Sequence, residues 1–465
     1  MIDRRVLIVG AGEAGEMVLR EIQNNPSLNR VVAGFVDDDD AKQNTRVNSV
    51  PVLGRTSEVA QICADQQVDE VIIAIPSAPG AVIRSVTRQA DRFNADLRIV
   101  PGIREIIEGD VHWNQIRTVM PEDLLGRETV EIDHDRLRSF LTELRILVTG
   151  VAGSIGSQLV EELFRYPVNR VMGLDFNESG LYELEVSRLR PENRDQFISV
   201  LGDIREKHVL EEAISQIQPH LVLHAAALKH VPMSERHPRE VIKTNLAGTR
   251  NVLETVAEQE VDDCLVISTD KAVQSKNLMG LSKRLNERMV ASFHQQYENT
   301  RFCAVRFGNV LGSRGSVVPL FKEQIRRGGP VTVTDPEVER YFMTPAEAVR
   351  LVLTAASFRK GGTLYVLDLG DPIRILDLAR QLISLSGHEP ETEIPIVFTG
   401  LRKGETMEEK LLRDNENPQD TPHDQIRQVS IPPFRRAEFS RLAEIMDHPR
   451  SIDSDSIRFL RSLEQ

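Results

Sequence analysis

Twice along this chain a short apolar strand runs into a glycine-rich turn that opens a helix, and no other feature restricts the possible folds as much. The first turn carries Gly10, Gly12 and Gly15 in G-x-G-x-x-G spacing, after Val6–Val9 and before the helical stretch Ala14–Ile22. The second runs Thr149-Gly150-Val151-Ala152-Gly153-Ser154-Ile155-Gly156, after Arg145–Val148 and before a helix over Ser157–Phe164. Glycines let the backbone turn tightly and approach a pyrophosphate, while the helix N-terminus offers it unpaired N–H groups. The same glycines would also serve a tight turn that binds nothing, so each loop has to be judged by its partners.

Short apolar runs alternate with helical stretches almost throughout. Val31–Val36, Val71–Ile75 and Leu97–Val100 read as strands after the first loop. Val171–Asp175, Phe197–Leu201, Leu221–His224, Cys264–Ser268 and Arg301–Arg306 follow the second. This rhythm predicts an α/β protein built from two Rossmann-like, doubly wound parallel-sheet domains with helices on both faces. A chain of 465 residues also exceeds one ordinary core. The expected division is 1–135 and 136–465. The stretch from Pro101 to Thr142 breaks the rhythm with Asp110, His112, Glu122, Asp123, Glu131 and Asp133, and reads as a connector containing a short helix.

Bulk properties remove several function classes. A net charge of −13 argues against a nucleic-acid binder, whose affinity rests on clustered Lys and Arg. It still allows a phosphate-bearing substrate in a locally positive pocket. Cys63, Cys264 and Cys303 are scattered and lack C-x-x-C spacing, so neither a disulfide framework nor a metal site is expected, and a reducing cytosol fits. The run Asp37–Asp40 reads as a solvated loop, because contiguous acids cannot all turn inward. No signal peptide is visible, and no apolar run reaches the roughly 18 residues of a membrane-spanning helix.

The partners of the two loops differ. Asp37 ends the strand after the first loop, as a ribose-binding acid would. Glu13, however, brings negative charge to where a phosphate would sit, and the ligand of the first domain stays open. After the second loop, Asp175 ends the next strand and can accept both ribose hydroxyls. An acid there repels a 2′-phosphate, and Phe176 and Asn177 supply no positive charge, so NAD is favoured over NADP. Asp203 and Ile204 end the third strand, where a carboxylate could hold the adenine amino group. Ala225 and Ala226 end the fourth with small side chains that let a cofactor lie close, and Asn245 sits on the following helix. The expected NAD-binding set is thus Thr149, Gly150, Gly153, Ser154, Ile155, Gly156, Asp175, Asp203, Ile204, Ala225, Ala226 and Asn245.

Further along come Leu228-Lys229-His230-Val231-Pro232, Ser268-Thr269-Asp270-Lys271-Ala272-Val273 and Arg306-Phe307-Gly308-Asn309-Val310-Leu311-Gly312-Ser313. Arg340-Tyr341-Phe342-Met343-Thr344 and Gly400-Leu401-Arg402-Lys403-Gly404-Glu405 complete the set. With these stretches the chain resembles the extended short-chain dehydrogenase/reductases. More narrowly it resembles the polysaccharide-biosynthesis branch that holds the UDP-N-acetylglucosamine 4,6-dehydratases. The resemblance covers nearly the whole chain and is strongest from Arg145 to Leu412. It implies a smaller C-terminal substrate-binding part in the second domain. It also matches the first domain to the nucleotide-binding-type domain of the long members. Those members usually begin with membrane helices, so the chain reads as their soluble part, either natural or truncated. Most of the superfamily carries Tyr-x-x-x-Lys. Here Met279 holds the phenol position and Lys283 follows four residues later. A thioether cannot exchange a proton, which argues against an alcohol dehydrogenase or a 4-epimerase. Met279 with Thr-Asp-Lys implies the branch that retains configuration at sugar carbon 5. Gln274-Ser275-Lys276 departs from the more usual Asn-Pro-Thr, which bears on loop geometry only.

The resemblance implies a reaction. Sugar carbon 4 is oxidised to a ketone with hydride passing to NAD, a base removes the carbon 5 proton as the carbon 6 hydroxyl leaves as water, and the hydride returns to carbon 6. Asp270 matches the family's acid and Lys271 its base. A dry pocket is expected to raise the pKa of the first and lower that of the second. Thr269 would bind the oxygen on carbon 4, and Lys283 would hold the nicotinamide ribose. Asn309, Arg314, Arg340 and Arg402 match positions that contact UDP, where Arg suits a pyrophosphate. Lys229 and His230 would shape the sugar pocket. The expected partners are a UDP-sugar and further copies of the chain in a homo-oligomer. The expected location is the cytoplasm, or the inner face of a membrane for a fragment of a longer protein. The alternatives are a nucleotide-sugar 4-epimerase and a non-catalytic nucleotide-sensing protein of the same fold.

Overall fold

Val6 and Ile8 belong to one apolar cluster and Leu7 and Val9 to another, and all four are fully buried. Side chains alternate across a strand, so this strand is covered on both faces, as a parallel sheet between two helix layers requires. The computed structural model describes residues 3–75, 78, 80–91, 93, 95–100, 116–119, 123, 131–448 and 453–464. Asp110, His112 and Glu122 of the expected connector lie outside the described residues. Its described part holds a helix at His134–Leu141, capped by Asp133, whose Oδ1 accepts the Arg136 N–H at 2.9 Å.

The chain forms two compact units: Met1–Val130 with Val317–Pro336 and Ile373–Thr399, and Glu131–Ser316 with Glu337–Pro372 and Gly400–Gln465. Two segments that chain order places in the second domain therefore group with the first. Helix Ile375–Leu385 packs there against helix Gly80–Asp91, and Leu385 meets the cluster containing Ile83 and Val86.

In the first unit, β1 (Arg4–Val9), β2 (Arg30–Val36), β3 (Arg46–Val47), β4 (Val50–Gly54), β5 (Glu70–Ile73), β6 (Asp96–Ile99) and β7 (Arg117–Thr118) form one sheet in the order β3-β4-β2-β1-β5-β6-β7. The strands from β4 to β6 run parallel. In the second unit, β8 (Arg145–Thr149), β9 (Arg170–Asp175), β10 (Phe197–Leu201), β11 (Leu221–His224), β12 (Asp263–Thr269) and β13 (Arg301–Phe307) lie in the order β10-β9-β8-β11-β12-β13. Thr363–Leu367 continues the parallel sheet, and Ile426–Ser430 and Gln419–Asp420 close it antiparallel. Strand order reverses between β8 and β11, which opens a crevice at their C-terminal ends, where ligands of such sheets bind.

The expected strands are present to within two residues at each end. The helix after the second loop starts earlier than expected, at Ser154, because Gly153 already caps it and the Ser157 N–H reaches the Gly153 carbonyl at 3.0 Å. The last glycine of each loop is a packing requirement. A Cβ at Gly15 would stand 2.0 Å from the Gly10 carbonyl oxygen, and one at Gly156 would stand 2.1 Å from that of Gly150. Close packing of helix on turn therefore explains these glycines without a ligand.

Candidate active site

The crevice of the second unit opens beside the Thr149–Gly156 loop. Asp175, at the end of β9, accepts the Ala152 N–H at 3.0 Å on one oxygen and the Asn177 N–H at 2.9 Å on the other. A carboxylate offers about four acceptor sites, so it could still take two ribose hydroxyls. The helix starting at Ser154 carries no acid in its first turn. This donor set suits an anionic dinucleotide. Beneath it, His224 is fully buried between the Thr149 hydroxyl, 2.7 Å from Nδ1, and the Thr249 hydroxyl, 2.9 Å from Nε2. Burial and the Lys283 charge hold its pKa down at about 3, so it is a neutral strut between β8 and the neighbouring helix.

Several residues expected to touch ligand also make contacts within the protein. Asn245 is buried and clamps Leu228 through both backbone groups, accepting its N–H at 2.8 Å and donating to its carbonyl at 3.0 Å. It therefore shapes the chain around Ala225 and Ala226. Asp203 pairs with Arg205 at 2.5 Å, while Ile204 is buried in the core. Arg314 grips the glycine loop, donating to the Ala152 carbonyl at 3.0 Å and pairing with Glu183 at 2.7 Å, and its backbone N–H reaches Ser154 Oγ. Arg340 donates to the carbonyls of Thr406 and Met407 at 2.7 and 2.9 Å.

At the end of β12 the Thr-Asp-Lys motif turns into the crevice floor. Thr269 Oγ1 donates to Asp270 Oδ1 at 2.8 Å, and Lys271 Nζ lies 3.1 Å from the same oxygen. Asp270 Oδ2 is buried and receives no donor, resting against Gly308, where a Cβ would come within 3.1 Å of it. A second carboxylate completes the group. Glu409 Oε1 lies 2.9 Å from Lys271 Nζ and 3.2 Å from Arg340 Nε, and its Oε2 accepts from Asn309 Nδ2 at 2.9 Å. Asn309 bridges the two, because its own Oδ1 accepts from Lys271 at 3.0 Å.

Charge in this cluster is unevenly shared. Burial pushes the Asp270 pKa up; Lys271 draws it down and Glu409 adds to the rise, leaving it raised to about 7. Burial also acts against ionised Glu409, but Lys271, Asp270 and Arg340 outweigh it and bring its pKa down to about 2. The expected lowering of the Lys271 pKa is reversed. Burial pulls it down, yet the charges of Asp270 and Glu409 together raise it. Lys271 is a held cation in this structure.

Met279 and Lys283 lie one turn apart on the buried helix Leu278–Gln296. Lys283 Nζ donates to the Ile267 carbonyl at 2.8 Å, and burial lowers its pKa to about 8, partly offset by Glu287. Burial and the nearby Lys271 charge lower the Lys229 pKa, and His230 packs under Gly315. Arg402 is exposed, and its backbone N–H donates to Glu405 at 3.0 Å. Sequence reasoning missed Glu409, His224 and a buried ion cluster in which Arg306 meets Glu287 at 2.8 Å and Glu416 at 2.7 Å. The one available signal for Glu409 was its place shortly after Gly400–Glu405.

The model of the polysaccharide biosynthesis protein family matches residues 146–431, and that of a CoA-binding domain matches residues 2–101. The capsular polysaccharide biosynthesis protein CapD of Staphylococcus aureus is 39% identical over 444 residues, covering 95% of this chain and 74% of that protein. A UDP-N-acetylglucosamine 4,6-dehydratase (inverting) of Campylobacter jejuni is 32% identical over 276 residues, 58% of this chain and 78% of that enzyme. The X-ray structure of Pen from Bacillus thuringiensis superposes with a TM-score of 0.59 at 31% identity, over 64% of this chain and 92% of that one. With the Thr-Asp-Lys motif at a sheet end beside the glycine loop, these matches identify the chain as a member of the polysaccharide biosynthesis protein family, an extended short-chain dehydrogenase/reductase enzyme group whose relatives include nucleotide-sugar 4,6-dehydratases and 4-epimerases.

Proposed function

We propose that the chain is an NAD-dependent nucleotide-sugar 4,6-dehydratase acting on UDP-N-acetylglucosamine, with loss of water, in polysaccharide precursor synthesis. The observation that carries this reading is Asp270, a carboxyl buried next to Thr269 and Lys271 with one oxygen that receives no donor, an environment that raises its pKa. Elimination of a hydroxyl needs a positioned acid of that kind. A 4-epimerase needs a phenol at the position of Met279, which is buried and cannot exchange a proton.

The chemistry that NAD would supply when bound is hydride transfer from carbon 4 and back to carbon 6. Thr149–Gly156 and Asp175 would hold the dinucleotide, and Lys283 the nicotinamide ribose. Thr269 would bind the oxygen on carbon 4 and help move its proton out to solvent as the ketone forms, and Asp270 would protonate the departing hydroxyl and regain its proton from solvent. Lys271 would remove the carbon 5 proton and give a proton back to carbon 5 as hydride reaches carbon 6. As Lys271 is charged at rest and Asp270 already holds a proton, it must first pass its own proton to Glu409, the ionised carboxylate it touches. Arg402, exposed beside this segment, would meet the UDP diphosphate.

Incubation of the purified protein with UDP-N-acetylglucosamine, followed by mass spectrometry and proton NMR of the product, tests the reading. The expected product is lighter by one water and keeps its configuration at carbon 5. Recovery of UDP-N-acetylgalactosamine alone would replace the dehydratase with an epimerase.

A further inference from the structure

We propose that Glu409 is a positioning residue for the elimination: by neutralising Lys271 it leaves Asp270 free to keep the proton that the leaving hydroxyl needs. This deepens the dehydratase reading and rests on it.

The charges in this buried space do not balance one for one. Lys271 Nζ lies between two carboxylates, 2.9 Å from Glu409 and 3.1 Å from Asp270. One ammonium can balance one of them, and the better-served carboxylate takes the negative charge. Glu409 has a second cation, Arg340 at 3.2 Å, and an amide donor, Asn309 at 2.9 Å. As donors Asp270 has only the Thr269 hydroxyl besides Lys271, its buried Oδ2 receives none, and its carboxyl meets that of Glu409 directly, a contact that needs a proton and places it on Asp270. An ionised oxygen in that position would carry an unrelieved desolvation cost, which protonation relieves. The other titratable groups around the cluster do not change this order. Lys229 faces Lys271 and adds positive charge, while Tyr341, across Gly308 from Asp270, is itself shifted away from ionisation by burial.

Glu409 is also held firmly enough for the role. Arg340 binds the two carbonyls just before it, and buried Arg306 binds the Leu411 carbonyl just after it at 2.8 Å. The side chain is only 7% exposed. Without its charge, Lys271 would keep Asp270 as its one carboxylate partner, and Asp270 would ionise and cease to be an acid.

Infrared difference spectra of the purified protein, recorded over a pH titration without substrate, test this directly. The C=O stretch of protonated Asp270 is assigned by its loss in Asp270→Asn. In Glu409→Gln that band should titrate about one pH unit or more below its wild-type midpoint. In Glu409→Asp, which keeps the charge, it should stay near the wild-type midpoint, and this variant serves if the first does not fold. The basic limb of kcat/KM should move with the band, so that turnover above the limb falls about tenfold for every pH unit the limb moves down. An unchanged midpoint in Glu409→Gln overturns the proposal, even with activity lost, because a merely structural role would do the same. A Glu409→Asp midpoint displaced as far as that of Glu409→Gln overturns it as well. The band needs no substrate, so it decides the role of Glu409 separately from the product-mass test of the dehydratase reading.

Discussion

The two glycine loops share a scaffold and differ in what surrounds it. In both, the acid ending the next strand accepts an N–H from the loop: Asp37 from Ala11 at 2.8 Å, Asp175 from Ala152 at 3.0 Å. In the first unit Lys42 also pairs with Asp37 at 2.9 Å, on the same oxygen, and Glu13 and Glu16 occupy the first turn of the helix. Both features oppose a dinucleotide, one by occupying the ribose acid and the other by placing negative charge at the positive helix end. Among the described residues, the second loop has neither. Glycines thus report a tight turn, and the charges beside them report whether an anion can sit there.

The proposed NAD site of the second unit rests on this contrast, which can be attacked at several strengths. Replacing Asp270 by Asn should lower kcat by about 10²–10⁴-fold while bound NAD per chain is unchanged. Near-wild-type turnover would remove the acid from the second unit. A pH series should show kcat/KM of the wild type falling tenfold per unit as pH rises above about 7, because Asp270 acts in its protonated form, which is lost on the alkaline side of its pKa. A profile flat to pH 9 would contradict this. Asp175→Ala should weaken NAD binding by about 1.5–3 kcal/mol, whereas Asp37→Ala should leave the stoichiometry at one NAD per chain, measured by calorimetry. Two NAD per chain would break the contrast. Gly15→Ala and Gly156→Ala should each cost about 1–3 kcal/mol of stability by crowding a carbonyl, but only the second should also weaken NAD binding. Smallest of all, Lys42→Ala should change stability by about 1 kcal/mol, because Lys42 is partly open to solvent and Asp37 keeps its backbone donors.

Some of the site was legible because its chemistry is local in sequence. Thr269, Asp270 and Lys271 are consecutive, and Asp175 follows its loop by one strand and helix. Met279 and Lys283 are one helical turn apart. Arg314 and Arg340 were read as phosphate ligands from residue type and motif position. Arg340 is mostly buried on backbone carbonyls, while Arg314 stays about half exposed and holds the glycine loop and Glu183, partners that no linear pattern displays. The direction of the Lys271 pKa was misread for the same reason: a second carboxylate arrives from far along the chain.

What the sequence by itself determined is therefore the two α/β sheets, through alternating apolar runs and glycine turns, and the identity of the Thr-Asp-Lys group at a strand end. Only the tertiary structure decided which acid keeps a proton, which lysine stays charged, and that Val317–Pro336 and Ile373–Thr399 join the first unit. Periodicity and turn chemistry act over a few residues and can be read along a chain. Protonation depends on every charge within a few ångströms and on how much water has been excluded, and folding sets both.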